Sequence, residues 1–417
     1  MLANTTTIAA NAFMMTDCTK SRLAFGTLGF LGRRFVKGKD GRRPAPNPRF
    51  RMEFADLRLW IRSVCLRQLT VVKPYIIDSI NQGGRMLFPI FVRQRKSETR
   101  YKVGYVNEAG CTAIEPVFDE GTRFYEGLAS VKQKGRWGVI NVEGDFVIPP
   151  KLANWCIFQD GFAGVADKRG KWGLIDKSGD FVMSPRYEWI QPFAFGLAHV
   201  LKGHSEDARC GFIDTSGTEV IPCVYHEARS FHDGLVAVQV ARLWGYVDTN
   251  GLMRIKPQFG PIEGRRRFSD TYAGDFSGNV APVWVGGSYR FIDKLGNFAF
   301  DGRFEEANSF RDGLALVKHE SRFGYIDQSG NVSIDFIFSA AEDFSEGLAR
   351  VEIQAHDKEQ IGFIDRSGNL AIQQLFETAE AFQNGLSLVS DDEFIGYINQ
   401  SGEFVWKVPY VDYGVLL

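Results

Sequence analysis

The sequence predicts an all-β fold. It reads as a tandem array of about nine three-stranded antiparallel β units in an open superhelical (solenoid) stack, with a closed β-propeller as the alternative and a short helix on the N-terminal side. Three observations carry this. A Gly-centred motif returns at a nearly fixed spacing. A second motif, F-x-[DE]-G-L-A-x-V, precedes it in register. The composition, 44 Gly and 35 Phe in 417 residues, suits many tight turns and short aromatic strands.

The first motif reads "KWGLIDKSG" at 171–179, with echoes at 136–144, 209–217 and 322–330. Its Gly falls at Gly104, Gly138, Gly173, Gly211, Gly245, Gly324, Gly362 and Gly396, and a ninth copy carries Arg290 instead. The spacings are 34, 35, 38, 34, 45, 34, 38 and 34 residues, a period that marks a repeat architecture. The second motif runs from "FYEGLASV" (124–131) to "FQNGLSLV" (382–389), with "FSGNVAPV" (276–283) as a worn copy. Its register locates the irregular spacings. Both 38-residue spacings add four residues to one loop, at "KGHSEDAR" and "QAHDKEQ", and the 45-residue spacing adds 11 within "GPIEGRRRFSDTYAGD". Length changes at fixed points mark surface loops between fixed strands.

Each unit supplies three strands, exemplified by "LASV", "RWGVI" and "DFVIPP". A charged tip such as "KQKGR" joins the first to the second. The I-D-x-x-G turn joins the second to the third: Asp176 can bond back to the backbone and Gly179 can take positive φ, giving a type I turn with a glycine bulge. Alternation puts Trp172 and Leu174 on one face and Gly173 and Ile175 on the other. Neither face is polar, so the middle strand is expected to be buried on both sides. Gly173 leaves room for a neighbouring ring or backbone, and Phe193 and Tyr187 are the expected plugs between units. A lone three-stranded sheet is barely stable, so repetition is how this chain builds a core.

With both motifs in register, the units resemble WG repeats, a bacterial family with a consensus near F-x-[ED]-G-L-A-x-V followed by K-W-G-[YF]-I-D-x-x-G-x-x-[VI]-x-P. The resemblance covers about residues 100–406, with a half-unit from Val71. The Trp-Gly pair stands at Trp137, Trp172 and Trp244; Val103, Cys210, Tyr289, Phe323, Ile361 or Ile395 fills the Trp slot elsewhere. The resemblance implies an all-β repeat and an interaction role, and it brings no catalytic activity with it.

The remaining domains follow from composition. Residues 1–52 form a basic, Gly/Arg-rich segment without periodicity, read as disordered. Residues 53–70 place Phe54, Leu57, Trp60, Ile61, Val64 and Cys65 at helical spacing, read as an amphipathic capping helix, with a membrane-surface or partner helix as the sharper alternative. The array spans 71–410. Residues 1–100 hold 19 Lys and Arg against 6 Asp and Glu, and the remainder 30 against 44. An acidic array cannot replace counterions along a phosphate backbone, so no nucleic acid is expected on it. No apolar run of 18 residues predicts a transmembrane helix. The six scattered cysteines and the absence of a basic signal-peptide start favour a reducing, cytoplasmic setting.

The candidate chemistry weighs toward structure. The Asp row (Asp176, Asp214, Asp248, Asp293, Asp327, Asp365) sits in every I-D-x-x-G turn, with Asn at 107, 141 and 399. Asn serves such a turn equally and would weaken a hard-cation site. Cys210, Cys223, His226 and His232 form a C-x12-C-x2-H-x5-H string, but they occupy repeat positions and lack the paired spacing of structural zinc sites. His204 and His356 sit in the two long loops. No G-x-S-x-G, P-loop or HExxH motif is present. No catalytic residue, metal or cofactor is therefore expected. The candidate partner-binding loop is the long insert, with Arg265, Arg266, Arg267, Phe268 and Tyr272, because Arg and aromatics anchor interfaces. The expected partner is a protein with an acidic surface. A small-ligand or glycan binder built on repeated aromatic pockets is the second function class.

Overall fold

A computed structural model describes residues 86–93, 101–204, 207–260, 272–355 and 358–409. The expected disordered segment (1–52), the helix (53–70) and the half-unit from Val71 lie outside the described residues. Every strand falls in one compact unit, residues 81–203 and 208–415.

The described chain is all-β. Its strands form nine small antiparallel sheets in sequence order with no crossover. We number the repeat units 1 (87–118), 2 (120–152), 3 (162–187), 4 (189–225), 5 (227–259), 6 (280–293), 7 (306–338), 8 (349–376) and 9 (378–409). Unit 3 shows the expected pattern, with strands Phe162–Ala166, Trp172–Asp176 and Phe181–Tyr187. Units 2, 4, 5, 7 and 9 add a two-residue edge strand before the first, as at Glu120–Gly121, and become four-stranded. Unit 6 keeps only two strands.

The second motif encodes a tight hairpin. Tyr125 and Leu128 exchange both backbone hydrogen bonds, at 2.8 and 2.9 Å, across Glu126 (φ 49°) and Gly127 (φ 75°). Positive φ at both central residues is the type I′ geometry that matches strand twist, so the motif carries acid-Gly or Asn-Gly there in units 2, 3, 5, 7, 8 and 9, with Phe195-Gly196 in unit 4 and Gly278-Asn279 in unit 6. The I-D-x-x-G turn closes as expected: the Gly179 N–H donates to the Asp176 carbonyl at 3.0 Å, and Gly179 takes φ 84°.

The Trp-Gly glycine answers a different need from the one expected. Trp172 pairs with Tyr187 and Leu174 with Met183, so the third strand bulges by two extra residues opposite Gly173. A Cβ on Gly173 would lie 2.6 Å from the Met183 carbonyl oxygen and 2.8 Å from the Pro185 nitrogen. The space is taken by the backbone of the same sheet, not by a neighbouring unit. The same offset recurs in units 1, 2, 4, 5, 7 and 8. Unit 6 is the internal control. Arg290 replaces the Gly, stacks 3.5 Å over the Phe298 ring and reaches Asp301 at 3.1 Å. Its side chain fills the place of the bulge, and only single bridging pairs, Ile292 with Phe298 and Tyr289 with Phe304, remain of the third strand.

Neighbouring units bury each other's faces, as the repeat predicts. The residue after the anchor position meets the motif Phe of the next unit: Tyr105 with Phe124, Phe212 with Phe231, Tyr246 with Phe276, Tyr325 with Phe344 and Phe363 with Phe382, at 4.8–4.9 Å between ring centroids and steeply inclined. Such pairs contribute about 0.5–1.5 kcal/mol each beyond area burial. Where the residue is Tyr, its hydroxyl donates into the next unit, Tyr105 to the Thr122 carbonyl, Tyr246 to Gly274 and Tyr325 to Glu342, at 2.7–2.8 Å. Each turn Gly also abuts the preceding unit: Gly179 faces Ile148, Gly251 faces Ile221 and Gly368 faces Ile334.

These contacts run on across the chain ends. The Tyr397 hydroxyl of unit 9 donates to the Pro89 carbonyl of unit 1 at 2.8 Å, and its ring lies 5.4 Å from Phe88. Gly110 of unit 1 abuts the Val405 carbonyl of unit 9. Phe88, Ile90 and Val106 share one buried cluster with Leu386 and Tyr397. Unit 9 therefore packs on unit 1 as each unit packs on the next, and the nine sheets close into a ring, a β-propeller arrangement. The open superhelical stack expected from the sequence, on the ground that both chain ends read as third strands and so do not complete one shared sheet, does not form. That expectation assumed closure by a sheet shared between the ends. Here unit 1 has its own first strand, Leu87–Arg93, and the ring closes by face packing of two whole sheets.

Gly173→Val should destabilise the fold by about 1–3 kcal/mol, because a Cβ meets backbone that cannot step aside. Lys151→Ala, at an exposed side chain, should stay within about 0.5 kcal/mol of the parent. Denaturant midpoints measure both, and equal midpoints would contradict the clearance assigned to Gly173.

Candidate interaction faces

The sheets present two ends. First and second strands are antiparallel, with Leu128 opposite Asn141 and Gln133 opposite Arg136. The acid-Gly turns and the I-D-x-x-G turns therefore share one end, the turn face. The first-to-second hairpin tips occupy the other, the tip face. Trp244 pairs with Phe259, so the chain leaving unit 5 toward the long insert also departs from the tip face. The strand ends that flank the two four-residue extensions, Lys202 paired with Arg209 and Ala355 paired with Lys358, are on that face as well.

On the turn face the Asp row is turn structure. Asp176 Oδ1 accepts the N–H groups of Ser178 and Asp180, at 2.9 and 3.1 Å. Asp214, Asp248, Asp293, Asp327 and Asp365 repeat the pattern, and so do Asn107, Asn141 and Asn399. These bonds hold the carboxyls of Asp176, Asp214, Asp248, Asp293 and Asp327 below the ordinary Asp range. The largest cause is the Ser178 hydroxyl for Asp176, the Ser216 hydroxyl for Asp214 and the Asn331 side chain for Asp327. At Asp248 and Asp293 desolvation raises the pKa, and the combined hydrogen bonds outweigh it.

A second row of acids was not anticipated. The carboxylate of the acid-Gly turn accepts a backbone N–H from the next unit's turn: Glu126 from Gly161, Asp160 from Gly196, Asp233 from Asn279, Asp312 from Gly347, and Glu346 from Asn384 and Gly385, at 2.6–3.2 Å. A cation or amide from the following I-D-x-x-G turn joins it, Lys177 on Glu126 at 2.9 Å and Lys294 on the Asp233 carbonyl at 2.8 Å. The acid in F-x-[DE]-G was the available signal, but its partner lies one unit on, about 35 residues away in sequence.

The other sequence candidates separate. Arg265, Arg266, Arg267 and Phe268 lie outside the described residues, as does His356. Tyr272 is half-buried, not exposed: its ring packs 6.4 Å from Trp284, and its carbonyl accepts the Trp284 N–H at 2.9 Å. At the other end of the insert the Gly260 N–H donates to the Trp284 carbonyl at 3.2 Å, so both feet of the loop meet at one residue. His204 is exposed. Cys210 is buried in its Trp slot with its thiol toward the His226 carbonyl at 3.6 Å, and burial pushes the half-buried Cys223 thiol up to about 11. His232 instead faces Asp275, at 3.7 Å, which also receives Arg229 at 3.1 Å; burial holds His232 below the usual imidazole range. Among the described residues no three His, Cys, Asp or Glu side chains are placed to share a metal. A groove of about 710 Å³ lies between units 3 and 4, lined by Arg186, Tyr187, Lys202, Thr218 and Glu219.

The Asp row fixes an acid response. A folded-state pKa below the unfolded value gives stability that is present above about pH 4 and lost as pH falls through the folded pKa. Replacing Asp176, Asp214 and Asp327 together by Asn, which units 1, 2 and 9 already use, should leave melting at pH 7 close to the parent. The variant should lose less stability than the parent between about pH 4 and pH 2. Parallel acid limbs in thermal scans would contradict this account of the turns.

No helix of the described residues is long and apolar enough to cross a membrane. No curated protein sequence matches the chain. Among solved structures, BamB from Moraxella catarrhalis aligns at TM-score 0.40 and 9% identity, over 61% of this chain and 87% of that one. The dihydro-heme d1 dehydrogenase NirN in complex with DHE aligns at TM-score 0.39 and 11% identity, over 76% and 75%. Hsv2 of Kluyveromyces lactis aligns at TM-score 0.33 and 8% identity, over 64% and 92%. Similarity this low carries no function across. The sequence family is decisive where these likenesses are not: the model of the WG containing repeat matches residues 104–137, 137–172, 172–203, 211–241, 289–322, 323–354 and 361–393. Those matches cover more than half of the chain, and the protein belongs to the WG containing repeat family.

Proposed function

We propose that the protein is a non-catalytic interaction scaffold whose tip face carries the contact, with the insert between units 5 and 6 as its principal element. One observation carries this reading: every large departure from the repeat length emerges on the tip face, and the longest is rooted on both sides of Trp284 by backbone hydrogen bonds. A ring of uniform units varied on one face is how a rigid frame presents recognition loops. The Asp row, the acid-Gly carboxylates and Cys210 are each engaged in holding turns or filling the core, which favours a structural role for them over a chemical one. Arg265, Arg266 and Arg267 with Phe268 suit a partner with an acidic surface, since guanidinium forks pair with carboxylates. Tyr272 belongs to the base of the loop and not to its contact.

The groove between units 3 and 4 supports small-ligand or glycan binding as the second reading, with Arg186 stacked 5.2 Å from the Tyr187 ring and Lys202 paired with Glu219 at 3.1 Å. The repeated aromatic rings themselves are buried between units and are not open pockets.

Deleting residues 261–271 returns the Phe259-to-Phe276 spacing to the six residues of the other units and leaves Gly260 and Tyr272 on Trp284. The variant should keep the parental melting temperature within a few degrees and lose the protein partners that the parent captures from lysate; added salt should weaken capture by the parent. A folded deletion variant that recovers the same proteins at the same yield contradicts the reading. Binding that instead follows a glycan panel and is abolished by Arg186→Ala supports the groove.

A further inference from the structure

The repeat supplies its own control for every surface position. In the acid-Gly turn, the residue before Gly is Glu126, Asp160, Asp233, Asp312, Glu346 or Asn384, but in unit 4 it is Phe195. It is 50% exposed and sits at φ 55°, in the left-handed region, which bulky side chains seldom adopt. A Phe ring cannot accept the next turn's N–H, so unit 4 gives up a rung of the carboxylate row and holds an aromatic in water on a strained backbone.

Two more departures follow in the next two units, on the same face. In the I-D-x-x-G turns, Leu295 of unit 6 replaces the Ser found in units 3, 4, 7, 8 and 9 and is 81% exposed. Leu252 of unit 5, just after the turn Gly, replaces Asp, Thr, Asn or Glu and is 56% exposed. Contacts connect Phe195 to the turn of Leu295: the Phe195 ring lies 6.4 Å from His232, and Lys294, beside Leu295, reaches the carbonyl of Asp233, beside His232. Single exposed apolar residues need no explanation, but three large ones in three consecutive units do, at positions that the other units fill with polar or small residues, Ala109 and Cys111 of unit 1 being the small ones. Around them the turn face is acidic. Asp160, Asp214, Asp233 and Asp293 stand against Lys294, Arg186 on the Gly217 carbonyl and Arg311 near His232, while the buried Asp248 is paired with Arg254.

We infer that the turn face of units 4 to 6 is a docking surface for a cationic amphipathic segment of a partner protein. Its apolar side chains seat on Phe195, Leu252 and Leu295, and its Lys or Arg residues face the surrounding aspartates. The apolar residues give the contact area, and the carboxylates set the sign of the partner. This rests on the interaction reading above but concerns the opposite face and a partner of opposite charge to the one that suits the insert.

The test uses the full chain and two labelled synthetic amphipathic peptides, one of Leu and Lys and one of Leu and Glu, read by fluorescence anisotropy. The parent should bind the Lys peptide and not the Glu peptide. Phe195→Asp combined with Leu252→Asn and Leu295→Ser restores the repeat's own residues, so the fold is kept. It should weaken binding about tenfold or more. Phe195→Asp adds a negative charge, so bulk attraction works against the expected loss. Leu295→Ser alone, at a side chain too exposed to matter for folding, should weaken binding by a smaller factor. Undiminished binding by the triple variant overturns the inference, as does a parent that binds neither peptide, or one that binds only anionic phosphatidylglycerol vesicles. Each of those outcomes leaves the scaffold reading standing on the loop-deletion experiment, which never touches this face.

Discussion

Every other feature of this molecule depends on one constraint: a sheet of two to four short strands cannot cover its own faces. Each unit has an apolar residue on both sides of its middle strand, as Leu174 and Ile175 show, and both are fully buried only because a neighbour lies on each side. A linear stack of such units would always leave two apolar faces uncovered. Closure removes both. The cluster of Phe88, Ile90 and Val106 with Leu386 and Tyr397 is the ninth version of an interface the chain makes between every other pair.

Closure by packing alone has consequences at the seam. No strand is shared between the first and last units, so the ring is held there by the Tyr397 hydrogen bond, the buried cluster and polar contacts of Arg123 with Glu380 and Gln383. Arg123 belongs to unit 2 and Glu380 to unit 9, and their ion pair spans unit 1. The rest of the stability is distributed as small repeated terms: aromatic edges, tyrosine hydroxyls, turn glycines against Ile, and carboxylates bonding the next turn. The turns also explain why the ring has two unlike faces. One is fixed by side chains that hold backbone, and the other is free to vary in length.

Much of this was legible in the sequence because it is local. The period, the three strands, the I-D-x-x-G turn and the double burial of the middle strand follow from spacing and residue type. So does the Asp row, because Asn at 107, 141 and 399 reveals an acceptor and not a ligand. Non-local facts were not legible. The clearance at Gly173 depends on a bulge whose existence is visible only in strand register. The carboxylate row links residues one unit apart. The chain ends do not reveal closure because the strand that completes unit 1, "LFPIFVR", lacks the second motif. For the candidate site, the insert stands out in the sequence by its length, whereas the packing of Tyr272 on Trp284 at its foot is a tertiary contact that spacing does not reveal. Phe195, Leu252 and Leu295 were within reach, since a column-by-column comparison of the repeats isolates them; their shared face and exposure were not.

Ring closure is tested most directly by a distance across the seam. Ala109 and Ser401 occupy the same turn position in units 1 and 9, and Glu143 and Ser178 occupy it in the adjacent units 2 and 3; all four are exposed. Spin labels carried on unnatural amino acids at each pair give two distance distributions by double electron–electron resonance. A closed ring predicts that the Ala109–Ser401 distribution coincides with that of Glu143–Ser178, narrow and at the spacing of neighbouring units. A longer or broad distribution for Ala109–Ser401 beside a narrow one for Glu143–Ser178 would show that units 1 and 9 do not meet, and would contradict the closed propeller.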